Sequence, residues 1–191
     1  MNHRLSVPVV EPVHHAIVWQ CRRGDAICDA LRRAGHEDAV QQKTGLKIDT
    51  YFSASKIRWL MEDRPDIAEK LHSGEAVLGT IDTYMIHRLT AGTVFATDFT
   101  NASRTLLFNA HSLSWDPELC ALFGVPMQAL PEVRESSAHF GTTTITGAKI
   151  PIAGVMGDSQ AALFAQRCFQ PGSAKATFGT GTSVMLNIGQ H

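Results

Sequence analysis

The sequence predicts an α/β protein, and three observations predict it. Apolar residues recur at helical spacing in short segments, several of them closed by glycine; short apolar or β-branched runs lie between them; and the two patterns alternate along the chain. The chain has 191 residues, 44% hydrophobic and 18% charged. That is enough apolar mass to bury the core of one domain, or of one and a fraction. Disorder, a collagen repeat and a small disulfide scaffold are excluded. Seventeen basic residues face eighteen acidic ones, with a formal net charge of −1. No run of like charge suggests nucleic acid or an anionic membrane as a partner.

Taken in order, residues 1–11 hold one proline, with a second at Pro12, among short apolar pieces and read as a leader without a secretory apolar core. His14 to Gln20 reads as a short strand; on it, His14 and His15 would point to opposite faces and could not share a metal. Ile27, Ala30, Leu31 and Ala34 mark a helix over 24–34, stopped by Gly35. A second helix spans about 36–43 and ends at Gly45. Ile57, Leu60 and Met61 mark a helix over 53–63, with Ser53 as its cap. Pro65 opens the next, and Gly74 closes it. Over 80–90, Ile81, Tyr84, Met85 and Leu89 form one apolar face, with Thr80 as cap.

Further along, 94–96 reads as a strand, 117–123 as a short helix begun at Asp116, and the Thr-rich stretch 136–146 as extended chain. Ile150 to Val155 reads as a buried strand running into Gly157-Asp158, and 160–168 as a helix. The arms 174–178 and 182–188 flank Gly179-Thr180-Gly181 as a hairpin. No segment approaches the length of a membrane span, and the chain reads as cytoplasmic.

Four cysteines stand without a C-x-x-C pair, so they are expected as reduced, buried thiols. The nine histidines include no helical His-x-x-x-His, and a dedicated metal site is not expected. No serine lies in a G-x-S-x-G turn. Asp158 stands where a strand turns into a helix, the end of an α/β strand at which ligands collect. There a carboxylate can orient a substrate hydroxyl or take its proton during phosphoryl transfer. The same position also suits a plain helix cap bonding Gln160 or Ala161 N–H, and spacing alone leaves both readings open. Gly179-Thr180-Gly181 can wrap a phosphate with backbone N–H groups, or be a plain turn. Arg22, Arg23, Lys56 and Arg58 read as solvated basics, and Trp59 as core.

Six blocks then carry a resemblance: Ala16 to Arg23; Ile48 to Ser53 with Lys56 and Trp59; Gly79 to Thr83; Thr97 to Thr105 with Phe108-Asn109; Gly157 to Phe164; and Phe178 to Gly181. In order and spacing they resemble the FGGY family of carbohydrate kinases, in the branch that phosphorylates glycerol. The likeness runs from about Pro12 to Gly189. It implies an actin-like, ribonuclease-H-like two-domain kinase that moves the γ-phosphoryl group of ATP, with Mg2+, onto a terminal hydroxyl of a polyol. Residues 12–172 would be the first kinase domain without its opening strands, and 173–191 the start of the second. By match to the family, Asp158 is the catalytic base and a polyol ligand, Trp19 and Tyr51 contact the polyol, and Gly179, Thr180 and Gly181 meet the nucleotide phosphates.

Two departures bear on substrate. Many members carry Gln after the catalytic Asp where Ser159 stands here, and an aromatic where Ser183 stands, so a polyol other than glycerol is a second expectation. The family's opening Asp-x-Gly-Thr hairpin and Arg-Glu pair do not occur before Pro12, and little of a second domain follows. The resemblance therefore implies that the 191 residues alone do not turn over. A non-catalytic kinase-like module, working by assembly or as a homo-oligomer, is the rival expectation.

Overall fold

A computed structural model describes residues 11–179 and 182–189. All of the expected leader except Glu11 lies outside the described residues. The chain divides into two compact units, one ending at Val155 and the other beginning at Met156.

The first unit opens with irregular chain. The strand expected over His14 to Gln20 is absent: among the described residues no neighbouring strand pairs with it, and Val18 O instead accepts from Cys21 N at 3.0 Å in a turn. A strand without ladder bonds leaves its backbone to water, so the segment has no reason to stay extended.

Helix α1 (Asp25–Arg33) buries Ile27, Cys28 and Leu31, with an acid in its first turn and arginines in its last, as the helix dipole favours. Helix α2 (Glu37–Thr44) ends at Gly45, whose φ of 71° is the left-handed stop that glycine adopts without strain. Helices α3 (Ser53–Asp63) and α4 (Pro65–Ser73) follow. Ser53 is already helical, and Phe52 flanks the helix without a side-chain cap, so the expected Ser53 cap is not made. Thr80 likewise flanks α5 (Ile81–Leu89) with no capping bond.

The face of α5 is the main correction. Thr83, Ile86 and His87 are buried, whereas Ile81 is 67% exposed and Tyr84 and Met85 are also exposed. The buried side is set by what packs against it, a small core of Ile86, Ala96 and Phe140, and not by which side is more apolar.

Strand β1 (Ala96–Asp98), which starts where the expected strand ended, runs straight into the one-turn helix α6 (Phe99–Ala102). The short strands β2 (Phe108–Asn109) and β3 (Ser114–Trp115) pair antiparallel. Helix α7 (Pro117–Phe123) is capped by Asp116, which accepts from Glu118 N and Leu119 N. Strand β4 (Glu132–Arg134) pairs parallel to β1, with Thr97 opposite Val133. Strands β5 (Thr142–Thr143) and β6 (Ile150–Pro151) pair antiparallel. The buried strand expected over Ile150 to Val155 is thus only two residues long, and both are exposed. With β5 as its one strand partner among the described residues, it is not covered as an inner strand would be. The main core joins α1, α2, α3 and α7 through Cys28, Val40, Ala54, Leu107 and Phe123.

The second unit holds α8 (Asp158–Ala165), none of whose residues is buried, and a hairpin of β7 (Ala174–Phe178) and β8 (Thr182–Leu186) in which Phe178 pairs with Thr182. The α/β class and the hairpin agree with the sequence reading. Among the described residues, no helix is long and apolar enough to cross a membrane.

Candidate functional site

In the first unit the structure brings Trp19 and Tyr51 together. Trp19 sits in the 18–21 turn, and its ring centroid lies 5.5 Å from that of Tyr51, tilted by 51°. Both are exposed, Trp19 by 60% and Tyr51 by 48%. An exposed aromatic pair of this kind presents ring faces to C–H groups and one phenolic hydroxyl to a polar partner. The Tyr51 ring also meets Phe52 edge-on at 5.2 Å. The Arg104 guanidinium lies 4.9 Å from the Phe52 centroid and 5.7 Å from that of Tyr51, within cation–π range. Arg104 belongs to a quoted motif, yet the sequence reading gives it no role.

Beneath Tyr51 the backbone is held from both ends. Tyr51 N donates to Asp49 Oδ1 at 2.7 Å. Lys56 Nζ donates to the carbonyls of Thr50, Tyr51 and Phe52, the latter two at 3.0 Å. Lys56 is 5% exposed, which corrects its reading as a solvated basic. Burial pushes its ammonium below the ordinary lysine value. A lysine four residues after Phe52 on a helix can reach back over the preceding turn, but the sequence does not record that the carbonyls there turn toward it. Arg23 stays exposed, with its guanidinium stacked 3.8 Å over Trp59, and Trp59 packs half-buried against two cores, as expected.

In the second unit, Asp158 is exposed at the first position of α8. Its Oδ1 accepts from Ser159 N at 2.7 Å. Gly157, not Asp158, flanks the helix, so the expected cap onto Gln160 or Ala161 is not the bond made. One carboxylate oxygen is therefore engaged by its neighbour while the side chain faces solvent. Ser159 is half-buried, and Gly179 follows β7, exposed. Thr180 and Gly181 lie outside the described residues.

Cys28, Cys120 and Cys168 are buried and Cys21 is partly so, all four free. Among the described residues no three His, Cys, Asp or Glu side chains gather as a metal site.

The architecture is part of an actin-like, ribonuclease-H-like α/β fold, shared with solved sugar kinases. The chain belongs to the FGGY family of carbohydrate kinases, whose N-terminal domain matches residues 9–165. It is 51% identical over 182 residues to a glycerol kinase of Alcanivorax borkumensis, covering 94% of this chain and 37% of that protein. With a glycerol kinase of Rhodopirellula baltica it shares 52% identity over 182 residues, covering 94% of this chain and 34% of that protein. The crystal structure of Plasmodium falciparum glycerol kinase with ADP superposes with a TM-score of 0.88 at 39% identity, over 92% of this chain and 36% of that one. A gluconate kinase from Lactobacillus acidophilus, 20% identical with a TM-score of 0.79, shares the fold. The chain spans about 37% of the length of the first of these relatives.

Proposed function

We propose that these residues form part of a cytoplasmic, ATP-dependent polyol kinase whose first substrate is glycerol and whose products are glycerol 3-phosphate and ADP. The observation that carries the reading is the likeness over 94% of the chain to proteins named glycerol kinase. In this reading 12–172 is the N-terminal kinase domain and 173–191 opens the C-terminal one.

Asp158 is the catalytic carboxylate. It orients the attacking hydroxyl and takes its proton as the bond from the γ-phosphorus to ADP breaks and the bond to the polyol oxygen forms. Its exposure, with one oxygen engaged by Ser159 N, leaves a second oxygen for that hydroxyl. Trp19 covers the carbon face of the polyol, and the Tyr51 hydroxyl bonds it. Ser159 adds a short polar contact where many members carry Gln, which admits polyols other than glycerol. Gly179, Thr180 and Gly181 meet the nucleotide phosphates through backbone N–H groups. Mg2+ would arrive with the nucleotide and would neutralise phosphate charge; the exposed Asp158 carboxylate at the start of α8 is the group of this chain that would face it.

Phosphoryl transfer depends on positioning and charge stabilisation from both sides of a cleft. Alone, the 191 residues are expected to release no ADP from ATP and glycerol. The test grafts this segment into a full-length glycerol kinase of about 51% identity. The expected chimera phosphorylates glycerol and loses at least a thousandfold in kcat on Asp158→Asn. A folded but inert chimera, or an active Asp158→Asn variant, sinks the reading.

A second reading is favoured by one observation. Phe164, Phe178, Val184 and Ile188 are all exposed in the second unit, as an assembling, homo-oligomeric module would require. A monomer by analytical ultracentrifugation counts against it.

A further inference from the structure

We propose that Lys56 is a positioning residue that sets the direction of the Tyr51 ring by gathering three consecutive carbonyls onto one buried ammonium. The inference deepens the polyol-kinase reading, because it rests on Tyr51 as a substrate contact; its structural half stands without that reading.

The geometry is specific. An ammonium has three N–H donors and no acceptor, and Lys56 Nζ has three carbonyl acceptors, of Thr50, Tyr51 and Phe52. All three precede α3, the helix on which Lys56 sits. Carbonyls of successive residues diverge in an extended chain, so their convergence on one atom defines the turn that carries Tyr51. The amide side is tied independently, by Tyr51 N to Asp49 Oδ1 at 2.7 Å. Thr50 Oγ1 is in turn held by Asp25 Oδ1 of α1 at 3.1 Å, and Ala54 N donates to Thr105 O at 2.9 Å. With both peptide groups of Tyr51 pinned, the direction of its Cα–Cβ bond is set, and from there the half-exposed ring rests against Trp19 and Arg104. Arginine cannot replace the lysine, since no guanidinium nitrogen carries three N–H groups and its five donors lie in one plane, whereas one ammonium nitrogen here serves three carbonyls.

The test uses the 191-residue protein and the near-ultraviolet circular dichroism of the Trp19–Tyr51 pair, isolated by subtracting the spectrum of Trp19→Phe. Lys56→Met is expected to keep the far-ultraviolet helix signal and lose at least half of the ring-pair signal. Lys56→Arg is expected not to restore it. A purely structural role would lower the melting temperature and leave the ring-pair signal of the folded protein intact, and that result overturns the proposal. If Lys56→Met does not fold, Lys56→Gln decides by the same readout, because an amide engages fewer carbonyls: a reduced ring-pair signal supports the proposal and an undiminished one overturns it. Glycerol is then titrated against the same ring-pair signal in the full-length chimera described above, taken as the difference from its Trp19→Phe variant. A signal that depends on Lys56 but ignores glycerol leaves the positioning role standing and removes the reading of Tyr51 as a polyol contact.

Discussion

Ser136 Oγ donates to Asp98 Oδ2 at 2.6 Å, tying the end of β1 to the chain that follows β4. Asp98 is 0% exposed. Its carboxylate also accepts from Thr100 N and Oγ1 and from Asn101 N and Nδ2, at 2.6 to 3.0 Å. Burial pushes this carboxyl up, but the hydrogen bonds from Ser136, Thr100 and Asn101 outweigh it, and the net position is below 3.8. One side chain thus caps α6 and joins two segments 38 residues apart.

Asp98→Ala is expected to cost about 3 kcal/mol, a lost cap plus buried donors left without an acceptor. The folded carboxyl titrates below its unfolded value, so its stabilisation is present above pH 3.8 and lost as pH falls through the folded value. Denaturant melts across acid pH check this: the gap between wild type and Asp98→Asn narrows below pH 3.8. A gap that stays constant there contradicts the assignment.

Gly141 has a φ of +103°, and a Cβ built on it would lie 2.7 Å from Thr90 Cγ2 and 3.0 Å from Val94 Cγ2. Gly35 has a φ of +82° with nothing within 4 Å. Gly35→Ala therefore carries backbone strain alone, about 1 kcal/mol, while Gly141→Ala adds overpacking and costs about 3 kcal/mol. Thermal melts of the two variants should rank them in that order; equal shifts would mean that the α5 end yields freely.

The thiols are expected to react in sequence. Burial works against ionising Cys21, but the hydrogen bond from Arg23 Nε at 3.0 Å and the nearby positive charges bring its pKa down. Burial holds Cys28 up, and Cys120 rises to about 11. At neutral pH a disulfide reagent should modify Cys21 first and leave Cys120 untouched until the protein unfolds. Mass spectrometry of partly labelled protein reads the order.

Ile81 and Met85 are exposed one turn apart on α5. Their replacement by lysine is expected to change stability by less than about 0.5 kcal/mol, because neither side chain packs a core. It is also expected to shift sedimentation toward monomer if this face drives self-association. A melting temperature lowered by several degrees would show the face to be covered.

The legible parts of the fold share a cause. Helices α4 and α7 were readable because their signals are local: Pro65 at a first turn, Gly74 at an end, Asp116 as a cap. Strands β1 and β4 pair across 36 residues of chain, and nothing within three-residue runs announces a partner so far away. The site divides in the same manner. Trp19, Tyr51 and Asp158 were named from motifs, but Lys56 and Arg104 acquire roles only from what lies beside them. Motif blocks record residue types and spacing; they do not record that three carbonyls point at one ammonium.

By itself, then, the sequence determined the α/β class, most helix bounds, the hairpin of β7 and β8, and the family resemblance, all of which rest on local periodicity, turn chemistry and ordered motifs. Only the tertiary structure decided which face of α5 is buried, that Lys56 is buried while Asp158 is exposed, and that His14 to Gln20 is not a strand. Burial is a property of what packs against a residue, and a strand exists only when a second one completes its hydrogen bonds. Neither partner can be read from the segment itself.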